Sequence, residues 1–375
     1  MRRIYLDHNA STPLAPEVAA VMRRAMVDGF GNPSSPHWGG MPARELVEKG
    51  RRQVAGLLGC APEEVVFTSG GSESNNFALK GAFFARAGKA AHIVTTRVEH
   101  PAILTPCRFL EKLAARVTYL PVDSTGSIDP DDLRKAIVAD TILVSVMHAN
   151  NEVGTIQPIA DCAAIAGEHG VPFHTDAAQS VGKIPTLVGD LGVDLMSIAG
   201  HKVYAPKGVG ALYVRKGVSL ESLIHGAGHE GGRRAGTESA MLTAALGAAC
   251  DLAADLSGME RVRALRDRFW IALQDRFGNS VALNGHPKQR LPNTLNVSFV
   301  GRLGADILAQ LDGVAASTGS ACHAGRVELS PVLEAMGVAP EVGMGAIRFS
   351  LGRTTTEEEI DAVTARLSDI LLQSA

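Results

Sequence analysis

The residue of this sequence best placed for covalent chemistry is Lys202, which closes the stretch SIAGHK directly after an apolar run. A lysine at the mouth of a hydrophobic sheet has a lowered pKa, and its neutral amine can form a Schiff base with a carbonyl compound. Lys183 and Lys207 lie nearby and are alternatives. For any one lysine, a solvated surface charge is the commoner role. We favour Lys202 because it ends an apolar segment beside a glycine and His201.

Two other polar residues also follow apolar runs directly. Asp176 stands in HTDAAQ, and His100 stands in VEHP at the start of a predicted helix. A buried carboxylate needs a cationic partner, and a protonated pyridine nitrogen is such a partner. Both residues have more ordinary alternatives, since an aspartate in this position often caps a helix and a single histidine is more often structural.

The stretch TSGGSESN, residues 68–75, has the composition of an anion-binding turn. Its glycines let the backbone approach a ligand closely. Free N–H groups at a helix start, together with the hydroxyl of Ser72, could hold a phosphate. The stretch matches neither the Walker A pattern nor GxGxxG. An ordinary capped helix start is therefore the alternative to a phosphate site.

The five cysteines are spaced tens of residues apart and form neither a CxxC motif nor a secreted disulfide framework. Four of them fit core positions in apolar or helical surroundings: Cys60, Cys107, Cys162 and Cys250. Cys322 stands in AASTGSACHAG, a run of small residues typical of a mobile exposed loop, with His323 adjacent. Only Cys322 has surroundings that suit a reactive thiolate.

Two arginines in AIRFSLGR, Arg348 and Arg353, could bind a substrate carboxylate. A guanidinium holds a carboxylate through two parallel hydrogen bonds. A structural ion pair is the alternative for one of them.

The elements that precede these residues must position them. Between residues 60 and 215 the chain alternates short β-branched runs with amphipathic stretches. The predicted strands are residues 65–68, 92–96, 117–121, 141–147, 171–175, 194–198 and 209–214. The predicted helices are residues 73–86, 102–115, 130–138 and 158–169. This alternation is typical of a mostly parallel sheet covered on both faces, where ligands bind at the carboxyl ends of strands.

The C-terminal part has a different composition. A helical region at residues 238–277 follows a flexible glycine-rich hinge or loop at 226–232. Beyond it we predict strands at 294–299 and 346–351, a helix at 305–311, and a final helix after Thr356. We expect a large domain, residues 15–255, and a small domain formed by residues 1–14 and 256–375, which carries Cys322.

Taken together, the site candidates match one cofactor. A phosphate-binding turn, a histidine, an aspartate and a lysine all follow predicted strands of one sheet. Pyridoxal phosphate needs a phosphate grip, a group that stacks on its ring, an anion for its ring nitrogen, and a Schiff-base lysine. The sequence therefore predicts a pyridoxal-phosphate site.

Composition and charge exclude several other classes of protein. The chain has 375 residues, of which 46% are hydrophobic, and a formal net charge of -3. It has no dense Lys/Arg run for nucleic acid and no window near the roughly 18 apolar residues of a membrane span. Its opening residues lack the apolar core of a signal peptide. We expect a cytoplasmic globular protein with no metal site.

Ordered motifs along nearly the whole chain resemble those of the cysteine desulfurases and selenocysteine lyases, in the class V aminotransferase-like branch of fold-type I pyridoxal-phosphate enzymes. The motifs are YLDHNASTP, FGNPSSPH, EVVFTSGGSESNN, VEHPAI, MHANNEVG, HTDAAQSVGK, GHKVYAPKGVGALYV, RRAGTES, LPNTLNVSF, STGSACHAG and IRFSLGRTTTEEE. The resemblance implies an α/β fold with a mostly parallel seven-stranded sheet in the large domain and a smaller α+β domain.

The resemblance also implies roles at the cofactor ring. Lys202 matches the Schiff-base lysine, and Asp176 matches the partner of the pyridinium nitrogen. His100 matches the residue that stacks on the ring and assists proton transfer. Asn151 and Gln179 match residues that contact the ring oxygen, and Asn151 is also a candidate for substrate binding.

Further roles concern the phosphate, the substrate and the sulfur. Three residues match phosphate-binding positions: Gly71, Ser72 and His201. Thr237 matches a residue that reaches the cofactor of the partner subunit in a homodimer. Arg348 matches the substrate-carboxylate arginine, and Cys322 matches the thiol that takes sulfur.

The implied reaction converts L-cysteine to L-alanine. Lys202 removes the Cα proton, the Cys322 thiolate attacks the substrate sulfur, and the resulting persulfide is passed to an acceptor such as a protein.

Two departures from the family pattern keep alternatives open. Ala199 stands where desulfurases commonly have a hydroxyl residue, and His8 stands where they usually have tyrosine. Ala199 and the Ala-Cys-His order at residues 321–323 are closer to a selenocysteine lyase, which releases selenium from L-selenocysteine. The spacing from Cys322 to Ser330 fits a long-loop desulfurase instead. A class V aminotransferase is a further alternative, although it has no use for such a cysteine.

Overall fold

The structure is a computed structural model, and it describes residues 3–86, 91–318, 322–323 and 326–372. For residues 322, 323, 326 and 327 it describes the backbone alone. The strands are β1 Ile4–Tyr5, β2 Val65–Thr68, β3 His92–Thr96, β4 Arg116–Leu120, β5 Thr141–Ser145, β6 Phe173–Asp176, β7 Leu195–Ala199, β8 Gly210–Val214, β9 Val281–Asn284, β10 Thr294–Phe299, β11 Val314–Ala315, β12 Cys322–His323, β13 Arg326–Val327 and β14 Ala346–Ser350.

The helices connect and cover these strands. They are α1 Pro16–Asp28, α2 Met41–Leu58, α3 Gly71–Phe84, α4 Pro101–Glu111, α5 Pro130–Ala136, α6 Ile159–Glu168, α7 Val188–Leu191, α8 Ala240–Ala253, α9 Gly258–Phe277, α10 Gly304–Gln310, α11 Pro331–Ala335, α12 Pro340–Gly343 and α13 Glu357–Leu372. Short 3₁₀ turns occur at Pro62–Glu64, Gly200–Lys202, His229–Gly232 and Gly278–Ser280.

A seven-stranded sheet in the order β2-β8-β7-β6-β5-β3-β4 forms the centre of the larger part. Its neighbours from β7 through β6, β5 and β3 to β4 are parallel, whereas β8 is antiparallel to both β2 and β7. The expected fold class, with a mostly parallel seven-stranded sheet, is confirmed. The carboxyl ends of β3, β5, β6 and β7 meet at one edge, where ligands of such sheets bind.

Apolar side chains on both faces explain why the strands look like continuous hydrophobic runs. On β2, Val65 and Phe67 belong to one apolar cluster, and Val66 belongs to another with Phe77 of α3 and Ile103 of α4. Successive side chains of a strand point to opposite faces, so each strand buries two rows. Burial of each such side chain contributes about 1.5–3 kcal/mol.

A second apolar cluster contains residues from both the N-terminal and the C-terminal parts of the chain. Ile4 and Leu6 pack with residues of α9, β10, β14 and α13. In its three-stranded antiparallel sheet, β10 lies between β9 and β14. Phe269 and Phe349 meet within this cluster edge to face, with ring centroids 5.0 Å apart. This is a smaller α+β unit, while the division at residues 15 and 256 stays a prediction.

The predicted helical region at 238–277 is two helices. Asp255 accepts a hydrogen bond from the backbone N–H of Ser257 (2.9 Å), and this turn separates α8 from α9. Helix α2 lies in a stretch for which the sequence pattern gave no prediction, and it packs closely on α8. A Cβ on Gly247 would lie 2.5 Å from Cα of Gly50, so the two backbones touch at these glycines.

Within the described ranges, no single helix is long and apolar enough to cross a membrane. Helix α8 and the helical stretch from Gly258 to Ser280 are long and apolar enough only when they are counted together, and they are bent by 74° relative to each other.

The backbone at Cys322 is part of a small hairpin. Strand β12 pairs antiparallel with β13, and the register partners are Cys322 with Val327 and His323 with Arg326. The predicted exposure and mobility of this segment concern side chains and residues outside the described ones, so they stay predictions.

Candidate active site

A cavity of about 570 Å³ opens at the carboxyl ends of the parallel strands. Nine of the predicted site residues line it: Gly71, Ser72, His100, Asn151, Asp176, Gln179, His201, Lys202 and Arg348. The fold therefore brings together residues that lie far apart in the sequence. Their individual roles stay predictions.

Asp176 ends β6 and is buried, with two hydrogen-bond donors fixing its carboxylate. The side-chain amide of Asn75 donates to Oδ2 (2.7 Å), and the backbone N–H of Ala178 donates to Oδ1 (2.9 Å). These two bonds fix the orientation of the carboxylate, and Asp176 also lines the cavity. It is therefore placed to contact a cationic group of a ligand there.

Lys202 closes the 3₁₀ turn after β7, and its amine lies among backbone oxygens. Nζ donates to the carbonyl oxygens of Asn9 and, at 2.8 Å, of Ala10. Burial and the positive charge of Arg348 together lower the pKa of Lys202 to about 8, against the opposing effect of Asp176. A substantial fraction of this amine is neutral near pH 8, as nucleophilic or basic chemistry requires.

His100 precedes α4 and caps it through its ring. The backbone N–H of Ala102 donates to Nδ1 of His100 at 3.0 Å. In a neutral imidazole the proton must then sit on Nε2. Loss of water around the ring and the charge of Lys202 lower the pKa of His100, while Asp176 acts in the opposite direction. The geometry therefore leaves Nε2–H as the free donor of a neutral ring.

The start of α3 forms part of the wall of the cavity. The N–H groups of its first turn have no partner within the helix, and Gly71 and Ser72 line the cavity there. A Cβ on Gly71 would lie 3.1 Å from Cβ of Ala199, so the departure at residue 199 puts a methyl group beside this turn. Burial lowers the pKa of His201, which also lines the cavity, to about 4.

The side-chain amide of Gln179 has a fixed orientation. Lys183 Nζ donates to its Oε1 (3.0 Å), and its Nε2 donates to the carbonyl oxygen of Asn9 (3.0 Å). Burial, with the charges of Lys202 and Arg348, lowers the pKa of Lys183 to about 7. The sequence alone left Lys183 as an alternative to Lys202. In the structure its amine is engaged by the side chain of Gln179.

Arg348, on β14, is held by two of its three guanidinium nitrogens. Nη1 donates to the carbonyl oxygen of Asn151 (2.9 Å), and Nη2 donates to the Asp7 carboxylate (2.9 Å). Nε is buried and has no partner among the described residues. The alternative, Arg353, donates to the carbonyl oxygen of Leu252 (2.8 Å) and does not line the cavity. Arg348 is therefore the better carboxylate ligand.

Two predicted residues are not placed in this cavity. Thr237 is exposed on the loop before α8 and is not among the lining residues. The Cys322 side chain lies outside the described ones. Each of the four other cysteines has a pKa raised to about 12 by burial: Cys60, Cys107, Cys162 and Cys250. None of these four is a reactive thiolate at neutral pH.

The cavity fits pyridoxal phosphate. Its volume lies within the roughly 300–1,000 Å³ of small-molecule sites. Four buried polar atoms of lining residues have no hydrogen-bond partner among the described residues: Ser11 Oγ, Asn75 Oδ1, His201 Nδ1 and Arg348 Nε. A polar ligand would satisfy such atoms. Lys202, Asp176 and the start of α3 supply the amine, the anion and the phosphate grip.

Sequence reasoning missed several residues that shape this site. Asn9 and Ser11 line the cavity from the N-terminal segment, and Asn75 holds Asp176. A signal for Asn75 existed, because it lies one helical turn after Gly71 and so on the same side of α3. Asn9 and Ser11 had no comparable signal, since no predicted element precedes them.

Comparison with known proteins gives a consistent result. The model of the aminotransferase class-V family matches residues 4–363. A protein of Dictyoglomus turgidum named cysteine desulfurase IscS is 50% identical over 364 residues, which cover 96% of this chain and 92% of that protein. A solved NifS-like protein superposes with a TM-score of 0.93 at 38% identity, covering 99% of this chain and 100% of that one. A structure described as SspA in complex with cysteine has a TM-score of 0.85 at 37% identity, covering 94% and 100%.

Proposed function

The chain belongs to the class V aminotransferase family as one of its pyridoxal-phosphate-dependent cysteine desulfurases, and we propose that L-cysteine binds in the cavity beside Lys202 and that Cys322 takes its sulfur. The observation that carries this proposal is that Lys202, Asp176 and Arg348 line one cavity. An amine, an anion and a carboxylate ligand are what an amino-acid substrate and this cofactor require together.

Pyridoxal phosphate, when bound, supplies an electron sink for the substrate. Lys202 would hold the cofactor covalently, and its Nζ, freed when the amine of the substrate takes its place, would accept the Cα proton of the substrate. Asp176, which Asn75 orients, would hold the ring nitrogen of the cofactor. Nε2–H of His100 is the donor available at the ring, because Nδ1 is engaged by Ala102.

Arg348 binds the substrate carboxylate. Its guanidinium lines the cavity, and Nη2 has a second hydrogen beyond the one that it donates to Asp7, so it can donate to a carboxylate there. Nη1 is already held by Asn151. The substrate is thereby oriented before any bond breaks.

Cys322 accepts the sulfur as a thiolate. Its Sγ attacks the sulfur of the bound cysteine, so that an S–S bond forms and the Cβ–S bond of the substrate breaks. The electron pair of the broken bond stays with Cβ, which is protonated to the methyl group of L-alanine. Cys322 is left as a persulfide, and its terminal sulfur can pass to an acceptor protein.

We also propose a homodimer in which the partner's Thr237 reaches the phosphate end of the cavity. Thr237 is exposed in its own chain. Its loop and Ser34 line one groove, and the segment around Ser34 carries three exposed apolar side chains: Val27, Phe30 and Trp38, which are 74%, 71% and 81% exposed. A second copy of the chain would cover this face.

A cytoplasmic location supports the same chemistry. Persulfide transfer needs a thiol that is kept reduced, as it is in the cytoplasm. The four cysteines whose side chains are described are free thiols. We therefore propose that the enzyme works there and delivers sulfur to another protein.

Alanine formation from L-cysteine tests the function. We expect turnover by the wild type with pyridoxal phosphate, loss of at least a thousandfold in Lys202→Ala, and loss of persulfide in Cys322→Ala. Removal of an activated covalent group costs about this much in other enzymes. Cys60→Ala is the matched control and should leave turnover within twofold. Mass spectrometry of the peptide that contains Cys322 measures the added sulfur.

L-selenocysteine is assayed in parallel. Turnover of selenocysteine without turnover of cysteine would make the chain a selenocysteine lyase. Unchanged sulfur transfer in Cys322→Ala would remove Cys322 from the reaction. Transamination of a keto acid in place of alanine release would make the chain an aminotransferase.

A further inference from the structure

Asp7 connects the substrate arginine with the segment that carries Cys322. Its Oδ1 accepts one hydrogen bond from Nη2 of Arg348 (2.9 Å) and another from the hydroxyl of Ser317 (2.9 Å). The side chains of Arg348 and Asp7 are only 10% and 18% exposed, so water competes little with this pair. One carboxylate oxygen thus holds both groups.

The backbone strengthens this connection. The N–H of Arg348 donates to the carbonyl oxygen of Ser317 (2.7 Å), and the N–H of Ser317 donates back to Arg348 (3.2 Å). The N–H of Leu6 donates to Ala315 (2.8 Å), which joins the strand before Asp7 to the strand before Ser317. The positions of Asp7, Ser317 and Arg348 are therefore set together.

A second connection lies at the other end of the Cys322 segment. The hydroxyl of Ser330, which caps α11, donates to the Glu152 carboxylate. Glu152 follows Asn151, whose carbonyl oxygen accepts from Arg348 (2.9 Å). One end of the segment between Ser317 and Ser330 is thus fastened to Asp7, which holds Arg348, and the other end to Glu152, whose neighbour Asn151 holds Arg348.

The length of the chain limits how far Cys322 can lie from these anchors. Cys322 is five positions after Ser317, and five extended residues span at most about 18 Å. The acceptor thiol is therefore tethered to the residue that Asp7 holds together with the substrate arginine.

On the basis of the function proposed above, we propose that Asp7 is a positioning residue that aims Arg348 at the substrate carboxylate and fixes the start of the Cys322 segment through Ser317. The ligand it serves is the carboxylate of an α-amino acid. Asp7 contacts neither the cofactor nor the reacting sulfur, and it acts through Arg348 and Ser317.

Ligand binding to the cofactor-loaded enzyme tests the first part. L-alanine and ethylamine differ by the carboxylate alone, and both perturb the visible absorbance of the bound cofactor. We expect Asp7→Asn to weaken L-alanine binding about tenfold, as loss of a charge-assisted hydrogen bond would, and to leave ethylamine binding within twofold. Asp312→Asn, an exposed acid-to-amide change next to β11, is the matched control and should change neither.

Sulfur transfer tests the second part. In Ser317→Ala we expect L-alanine binding within twofold of wild type and about a fivefold slower single-turnover transfer of sulfur to Cys322, since one hydrogen bond at the anchor is lost. Mass spectrometry of the Cys322 peptide measures the transfer.

Three results would overturn the inference. Equal weakening of L-alanine and ethylamine in Asp7→Asn would show a general structural defect, and unchanged binding of both would show that Asp7 does not aim Arg348. Unchanged sulfur transfer in Ser317→Ala would show that Ser317 does not position Cys322. Absence of alanine formation from cysteine in the wild type would instead refute the proposed function, while the comparison of the two amines would still report on Asp7.

Discussion

The neutral amine of Lys202 is produced by its surroundings rather than by lysine itself. The amine lies in a cavity from which water is largely removed and within the field of Arg348, so its pKa falls to about 8. The nearby carboxylates of Asp176 and Asp7 limit the shift. The same residues that bind substrate and cofactor therefore also set the basicity of Lys202.

Reconstitution of the cofactor-free protein with pyridoxal phosphate should reveal this pKa. The neutral amine is the nucleophile, so the rate at which the yellow colour develops should rise with pH and level off above a midpoint near pH 8. An ordinary lysine would give a rate that still rises towards about pH 10. Stopped-flow absorbance measures the rate, and Lys202→Ala, which should stay colourless, is the control. A midpoint at pH 10 would refute the effect of burial.

Among the elements, the loop before α8 is held by one buried ion pair. Glu230 accepts two hydrogen bonds from Arg51 of α2 (2.8 and 2.7 Å) and one from the backbone N–H of Phe67 on β2 (2.8 Å). Glu230 adopts a left-handed backbone conformation, with φ of 52°, which these bonds offset. The expected flexible glycine-rich hinge at 226–232 is thus anchored to helix and sheet at Glu230.

Removal of the Glu230 charge should show how much its ion pair with Arg51 contributes to the free energy of unfolding. Glu230→Gln leaves the buried Arg51 charge with Glu48, a half-exposed glutamate 3.5 Å away, as its remaining counterion, and we expect the free energy of unfolding in urea to fall by about 3 kcal/mol. Glu221→Gln, which changes an exposed glutamate paired with His225, should cost less than about 1 kcal/mol.

A double variant separates the ion pair from packing. Arg51→Met combined with Glu230→Met should recover most of the lost stability, because well-packed apolar residues often replace a buried pair without cost. An equally unstable double variant would mean that the backbone bond to Phe67 carries the effect.

At the scale of the whole molecule, two features both predict a dimer: the exposed aromatic side chains and the position of Thr237. Phe30 and Trp38 pack on each other with ring centroids 6.2 Å apart and are otherwise exposed. Thr237 is exposed and is not among the residues that line the cavity of its own chain. A dimer would bury the aromatic pair and bring a threonine to each phosphate site.

Sedimentation velocity tests the dimer. Phe30→Glu with Trp38→Glu removes two large apolar contacts worth about 1.5–3 kcal/mol each, so we expect dimerisation to weaken by roughly a thousandfold or more. Cofactor affinity should fall with it, because Thr237 is withdrawn. Ile271→Glu, at an exposed position on α9, should leave both properties unchanged. A wild-type monomer with full cofactor affinity would contradict the dimer.

The sequence by itself determined the strands of the central sheet and the residues at their carboxyl ends. Short, nearly continuous apolar runs and the residues that follow them are local features, and parallel strands bring their carboxyl ends together at one edge of the sheet. Lys202, Asp176 and His100 could therefore be identified as a set. The resemblance to a family added Asn151, Gln179 and Thr237, and it favoured Arg348 over Arg353.

Only the tertiary structure decided which side chains hold these residues in place. Asn75 meets Asp176 across 101 residues, and Asp7 meets Arg348 across 341. Strands β1 and β11, which align Asp7 with Ser317, have two residues each and carry no periodic signal. Contacts between distant segments depend on how the two apolar clusters pack together, and no local pattern in the sequence encodes that arrangement.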